Sequence, residues 1–304
     1  MSGAWADLLR RHGIRPGRRL GQHFLFEPGI LARIAAAAEI APGDPVLEVG
    51  PGVGSLTAEL VRRGAEVLAI ELDRSLGPAL RETLVRATPA VAVSDPLGPR
   101  IPPAVPSERL AERVWVCWGD AVRIPWAELQ APQPWCLCSN LPYYLTGPFL
   151  AAFLGSGLPW RGAVLLVQEE AAARMTASPG SAAYGAFTCL VAYHATVSRL
   201  FAVAPGSFTP PPAVGSAVVR LRPHSQPVAR APRDALLRVV RGAFAQRRKT
   251  LPNALAAALH QERSELEDIL TVLGLDPRRR GETLSLEEFD ALTLVLLREG
   301  RLGL

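Results

Sequence analysis

Val46-Leu47-Glu48-Val49-Gly50-Pro51-Gly52-Val53-Gly54-Ser55-Leu56-Thr57-Ala58-Glu59-Leu60 is the stretch from which the fold is read. A continuous apolar run ends in three alternate glycines and passes directly into a helical pattern, with Leu56 and Leu60 one turn apart and Gly64 as the stop. Strand, glycine loop and helix in that order form a nucleotide-type site, because glycine lets the backbone approach a ligand closely. About twenty residues on, Val67 to Ile70 reads as a second strand ending in Glu71, a carboxylate placed to accept hydrogen bonds from ribose hydroxyls. The three glycines are spaced more tightly than a pyrophosphate loop requires. Glu48 just before them repels phosphate and tolerates an ammonium, which favours S-adenosyl-L-methionine over a dinucleotide.

Outward from this stretch, strand-like and helical segments alternate as far as residue 222, which predicts a doubly wound α/β sheet. Before it, Arg15 to Phe26 is a basic, glycine-punctuated arm with an apolar anchor, and Glu27-Pro28 opens a helix through Ile34. After it, Arg86 to Arg113 carries six prolines between Pro89 and Pro106 and predicts an irregular excursion. Val114 to Trp118 reads as a third strand followed by Gly119-Asp120-Ala121, where Asp120 can accept from an adenine amino group or simply cap a turn. Phe187 to Val197 and Ala217 to Leu221 read as further strands around Phe208-Thr-Pro-Pro-Pro212. There the stiff prolines hold an aromatic either toward a base pocket or into the core. Residues 223–232 read as a linker. The rest is helical, with apolar stripes through Leu236 to Phe244 and Leu266 to Leu273, and Ser285-Leu-Glu-Glu288 as a capping box. The expected domains are 1–222 and an all-α 233–304.

The chemistry is concentrated in Trp135-Cys-Leu-Cys-Ser-Asn-Leu-Pro-Tyr-Tyr144. An exocyclic aromatic amine is a poor nucleophile because its lone pair is delocalised into the ring. The Asn140 side-chain carbonyl and the Leu141 backbone carbonyl can accept its two N–H bonds and localise that pair. Pro142 fixes the turn and Tyr143 offers a flat stacking face, so a base withdrawn from its stack is the natural guest.

Composition agrees. The 304 residues are 49% hydrophobic and 20% charged, as in a folded protein with one large or two ordinary domains. Cys117, Cys136, Cys138 and Cys189 match neither a zinc site nor a disulfide framework and are expected to be reduced core thiols. No signal peptide and no membrane-length apolar run are read, so the expectation is a cytoplasmic protein, and a monomer. Net charge is +5, carried almost wholly by Arg, since Lys249 is the only lysine. One basic cluster lies in the arm, another at Arg247-Arg248-Lys249, and two separated patches suit a long anionic partner.

These motifs together resemble a known family, the bacterial small-subunit rRNA adenine N6,N6-dimethyltransferases. The likeness is carried by Leu20-Gly-Gln-His-Phe-Leu25, Leu47-Glu-Val-Gly-Pro-Gly52, Glu71-Leu-Asp73, Gly119-Asp-Ala121 and Ser139-Asn-Leu-Pro-Tyr-Tyr144. It continues in Phe208 with Pro210 to Pro212, Ser216-Ala-Val-Val219 and Ala243-Phe-Ala-Gln-Arg-Arg-Lys-Thr-Leu251. It implies a Rossmann-like class I S-adenosylmethionine-dependent methyltransferase domain with a small helical RNA-binding domain. By the same resemblance His23 and Leu25 close over the cofactor, Gly50 lies by its methionine part, Glu71 binds the ribose, Asp120 meets the adenine and Asn140 binds the target amine. Tyr143 and Phe208 would sandwich the target adenine, and Arg18, Arg19, Arg247, Arg248 and Lys249 would contact rRNA. The substrate implied is two adjacent adenosines near the 3′ end of small-subunit rRNA in an assembling 30S particle, with S-adenosyl-L-homocysteine as by-product. The sequence departs from the family at His23, where Asn is frequent, at Ala213 and Gly215, where charged residues are usual, and in the long proline-rich excursion. Rival readings are a large-subunit resistance methylase, a non-catalytic assembly factor and a nicotinamide dehydrogenase.

Overall fold

The computed structural model describes residues 3–15, 22–87 and 99–302. In chain order the elements are α1 (Gly3–Arg11), β1 (Phe24–Leu25), α2 (Pro28–Ala37), β2 (Pro45–Val49), α3 (Ser55–Arg62), β3 (Glu66–Glu71) and α4 (Gly77–Ala87). Next come β4 (Ser107–Ala111), β5 (Val114–Trp118), β6 (Trp135–Asn140), α5 (Thr146–Leu154), β7 (Trp160–Gln168), α6 (Glu169–Met175) and α7 (Ala186–His194). The chain finishes with β8 (Ala195–Val203), β9 (Phe208–Thr209), β10 (Ser216–Pro223), α8 (Arg233–Ala245), α9 (Leu251–Leu259), α10 (Arg263–Val272) and α11 (Leu286–Arg298).

Eight strands form one sheet in the order β4-β5-β3-β2-β6-β7-β10-β8. Strands β5, β3, β2, β6 and β7 run parallel, and β4 and β10 are antiparallel to β5 and β7. Burial on both faces accounts for the unbroken apolar runs. Val46, Val67, Ala69, Val116, Cys138 and Leu166 pack in one cluster with Leu31 and Ile34 of α2, Leu56 and Leu60 of α3 and Leu80 and Leu84 of α4. The alternate residues Leu47, Leu68, Leu137 and Leu165 are equally buried on the other face. The expected doubly wound Rossmann-like sheet is therefore what the chain forms.

Two segments differ from expectation. Phe187 to Val197 is mostly α7, with β8 beginning at Ala195. Its even apolar run buries Cys189, Leu190 and Val191, and periodicity alone does not separate a buried helix from a buried strand. Within the excursion, Ser107 to Ala111 is free of proline and pairs along β5. Residues 88–98, and Arg18 and Arg19 of the arm, lie outside the described residues.

The chain divides into two compact units, Met1–Ala172 with Ser198–Pro223, and Ala173–Val197 with His224–Leu304. The second unit thus includes α7, whose Cys189 joins Leu236, Val240, Leu255, Leu270 and Phe289 in a helical core. Residues 224–232 fall in this unit too, where the Arg230 and Ala231 N–H groups donate to buried Asp290 at 2.9 and 2.7 Å. The capping box forms as expected, the Ser285 and Glu288 side chains each accepting from the other's backbone N–H.

Candidate active site

The chain leaves β2 toward β3 and β5 on one side, while β6 leads to β7 on the other, so the strand order reverses between β2 and β6. Ligands of open α/β sheets bind beyond the carboxyl ends of the strands at such a point. The β2–β6 ladder pairs Val46 with Cys136 and Leu47 with Leu137. Two residues further, the Val49 N–H donates to the buried hydroxyl of Ser139 at 2.8 Å. A side chain thus satisfies a backbone donor where the two strands part. Above the gap lies a cavity of about 290 Å³, near the lower bound for small-molecule sites.

Its floor is the glycine loop. Gly50, Gly52 and Gly54 have φ of 70°, 59° and 85°, the left-handed region. A Cβ on Gly52 would stand 3.0 Å from the Phe24 ring, and one on Gly54 2.6 Å from Leu80 Cδ1. Conformation and space therefore both demand glycine. Phe24 is held by Leu8, Leu9, Phe26 and Leu76, with Trp5 stacked on Phe26 at 4.7 Å. The amphipathic spacing of Trp5, Leu8 and Leu9 was the available sign of α1.

Two carboxylates face the loop. Glu71, at the end of β3, accepts from Gly52 N–H at 3.1 Å and from Asp73 N–H at 2.8 Å. Burial raises its carboxyl above the usual range, and these bonds pull it partly back. A carboxylate has about four acceptor sites, so two hydroxyls can still bind. Glu48 is 1% exposed and its Oε2 has no hydrogen-bond partner among the described residues. No Lys or Arg is among the described residues lining the cavity. Such a lining disfavours a pyrophosphate and fits a ligand with a ribose and a positive charge. Asp120 also lines it, with Oδ1 accepting from Val122 N–H at 2.9 Å. It caps a turn and faces the cavity at once.

Asn140, Leu141, Pro142 and Tyr143 line the same cavity as Gly50, Glu71 and Asp120. Gly50 and the Pro142 ring nearly touch, since a Cβ on that glycine would be 3.3 Å from Pro142 Cδ. The Asn140 amide donates from Nδ2 to the His23 carbonyl at 3.3 Å, which leaves Oδ1 as an acceptor. The Tyr143 hydroxyl is fixed 2.6 Å from Ser216 Oγ. The His23 ring stacks near Tyr143, centroids 5.7 Å apart at 25°, and its Nδ1 donates to the Pro210 carbonyl at 2.8 Å. Leu25 lines the cavity from β1 and pairs with Phe208 of β9. Phe208 does not line it: the residue is 2% exposed and its ring joins the apolar cluster beneath the sheet's helices. The ring facing Tyr143 is His23.

The motifs contain Ser139, Ser216 and Gln22 without assigning them a role; Gln22 donates to Asp73 at 3.2 Å and ties the arm to the end of β3. The four cysteines are buried and free, Cys117 pushed up to about 12 and Cys136 to about 11 by burial, so they stay protonated thiols. No metal-holding cluster is found among the described residues. In the second unit Arg247, Arg248 and Lys249 are exposed between α8 and α9. The Arg247 guanidinium is already engaged by the Ala182 and Tyr184 carbonyls at 3.2 and 2.9 Å.

The family model described as ribosomal RNA adenine dimethylase matches residues 15–291. A Pelotomaculum thermopropionicum protein named ribosomal RNA small subunit methyltransferase A is 43% identical over 290 residues, covering 94% of this chain and 93% of its own. One of the same name from Geobacter metallireducens is 39% identical, covering 96% and 99%. Among solved structures, a dimethyladenosine transferase from Plasmodium falciparum superposes with TM-score 0.73 at 26% identity, covering 91% of this chain and 98% of its own. The 23S rRNA methyltransferase ErmE superposes at 0.62 with 24% identity, covering 89% and 98%, a likeness of fold. With the match running from the arm into the last helix, the chain belongs to the ribosomal RNA adenine dimethylase family.

Proposed function

We propose that the chain transfers methyl groups from S-adenosyl-L-methionine to N6 of two adjacent adenosines in the 3′-terminal hairpin of 16S rRNA, twice on each, during small-subunit assembly. The observation that carries the reading is the Asn140-Leu-Pro-Tyr143 turn, which shares one cavity with the glycine loop, Glu71 and Asp120. The donor would supply an electrophilic methyl group on a sulfonium, which leaves as a neutral thioether; the attacking amine becomes acidic only as the C–N bond forms and then gives its proton to solvent, so no general base of ordinary pKa is needed.

The residues divide the work by position. Glu71 holds ribose hydroxyls, Asp120 the adenine amine, Gly50 the methionine end, and His23 and Leu25 close the cavity from the arm. Asn140 Oδ1 and the Leu141 carbonyl accept from the target amine and direct its lone pair into the cavity, while Tyr143, fixed by Ser216, supports the base. Most of the rate enhancement then comes from orientation and hydrogen bonding. Arg248 and Lys249, exposed and without an ion pair among the described residues, support the rRNA backbone more directly than Arg247 does. The protein would act as a monomer in the cytoplasm, and no described helix is long and apolar enough to cross a membrane.

The test is transfer of labelled methyl into undermethylated small subunits, followed by nucleoside analysis. N6,N6-dimethyladenosine confined to the 3′ hairpin supports the proposal, and label in large-subunit rRNA overturns the substrate. Asn140→Ala should abolish transfer and keep cofactor binding; unchanged turnover would remove this site.

A further inference from the structure

Of the buried side-chain atoms without a hydrogen-bond partner among the described residues, the one that belongs to a cavity-lining residue is Glu48 Oε2. Glu48, at the penultimate position of β2, lines the cavity yet is 1% exposed, and its Oε2 has no hydrogen-bond partner among the described residues. A buried carboxylate in that state is either protonated or awaiting a cation, because an unpaired buried charge is costly. Among the described residues no cation is found to act on it. From β3 it faces the Glu71 carboxylate, from β6 the Cys138 thiol, which burial keeps protonated, and from α3 the Thr57 hydroxyl. The guanidinium of Arg63, just past α3, pairs with Glu59 at 3.4 Å and donates to the Ala32 carbonyl at 3.1 Å, its buried Nε making no hydrogen bond among the described residues, and it is not among the groups that shift the Glu48 carboxyl. No lining residue among those described is Lys or Arg.

Resting on the cofactor reading above, we infer that Glu48 is the counter-ion for the α-ammonium of the cofactor, and that it carries a proton in the free protein which is released when that ammonium docks. The free state agrees: burial pushes the carboxyl up to about 8, the nearby Thr57 hydroxyl, itself without a hydrogen-bond partner among the described residues, offsets part of that, and the Glu71 charge adds to the rise. When the ammonium arrives, the carboxylate becomes one half of a buried ion pair and its proton passes to the buffer. Nothing else in the reaction changes. The ligand is selected for its positive end, and binding tightens as pH rises toward 8.

The experiment is calorimetric titration of the full chain with S-adenosyl-L-homocysteine, which keeps the ammonium and transfers nothing. It is run at pH 7 in buffers of different ionisation enthalpy. About 0.8–0.9 proton should be released per molecule bound, and Kd should fall close to tenfold between pH 6 and pH 7. Methylthioadenosine, which lacks the amino-acid end, should bind without releasing a proton. Glu48→Gln should abolish the release with the homocysteine compound and flatten the pH dependence. Binding without proton release in the unaltered protein, or the same release from Glu48→Gln, overturns the inference while leaving the cofactor reading intact. Failure of S-adenosyl-L-homocysteine to bind at any pH overturns both.

Discussion

Ser139→Ala removes one oxygen from a residue with no exposed surface, and its cost follows from a single bond. The Val49 N–H donates to that hydroxyl at 2.8 Å at the level where β2 and β6 part. Alanine leaves the amide buried without its acceptor, a loss of about 1–3 kcal/mol. For a unit of this size 1 kcal/mol shifts Tm by about 2–4 °C, so ~2 kcal/mol should lower it by about 4–8 °C. Val49 precedes Gly50, so the freed segment is the root of the glycine loop, and affinity for S-adenosyl-L-homocysteine should fall as well. The control is a second serine of similar burial. Ser216 is 1% exposed, but its hydroxyl bonds the half-buried Tyr143 hydroxyl and no backbone group among the described residues. Ser216→Ala should therefore leave Tm and cofactor affinity nearly unchanged and raise KM for rRNA by loosening the base support. Thermal unfolding by circular dichroism and calorimetric binding separate the two. A Ser139→Ala protein melting within 1 °C of the parent, or the same profile from both variants, would refute the reasoning.

Gly54→Ala places a Cβ 2.6 Å from Leu80 Cδ1 on a residue at φ 85°, so strain and crowding add. Cofactor binding by calorimetry should drop at least tenfold, and unaltered affinity would argue against a loop held in this conformation. The Glu48 carboxyl also writes itself into stability. Its folded value of about 8 lies above the ordinary 4.5, so its favourable contribution is complete below pH 4.5 and is lost as pH rises through 8. Relative to Glu48→Gln, the ligand-free protein should lose about 3 kcal/mol between pH 4.5 and pH 7. Parallel melting curves of the two proteins across that range would contradict it.

What could be read from the chain was whatever its chemistry keeps adjacent along the backbone. The three glycines of β2's exit and the Asn-Leu-Pro-Tyr turn each lie within five or six residues, and the carboxylate closing β3 follows the glycines at a regular spacing, its bond to the Gly52 N–H spanning nineteen positions. The Ser285–Glu288 capping box is of the same kind, both of its bonds spanning three residues. The hidden parts are contacts between distant residues. Ser139 meets Val49 across ninety positions and Ser216 meets Tyr143 across seventy-three. Neither serine has a local pattern that sets it apart from a turn or strand serine. Phe208 shows the limit from the other side, since its stiff proline segment is compatible with a pocket wall or a core anchor. What settles its place is the pairing with Leu25 of β1. The same pairing draws the arm over the cavity and sets His23 opposite Tyr143, a juxtaposition that no motif encodes. The residues proposed for the cofactor and those proposed for the target thus each stand in a local stretch of sequence. Their meeting is a property of the switch point, where β2 brings the glycines, β6 brings Asn140, and the nearly touching Gly50 and Pro142 join the two halves.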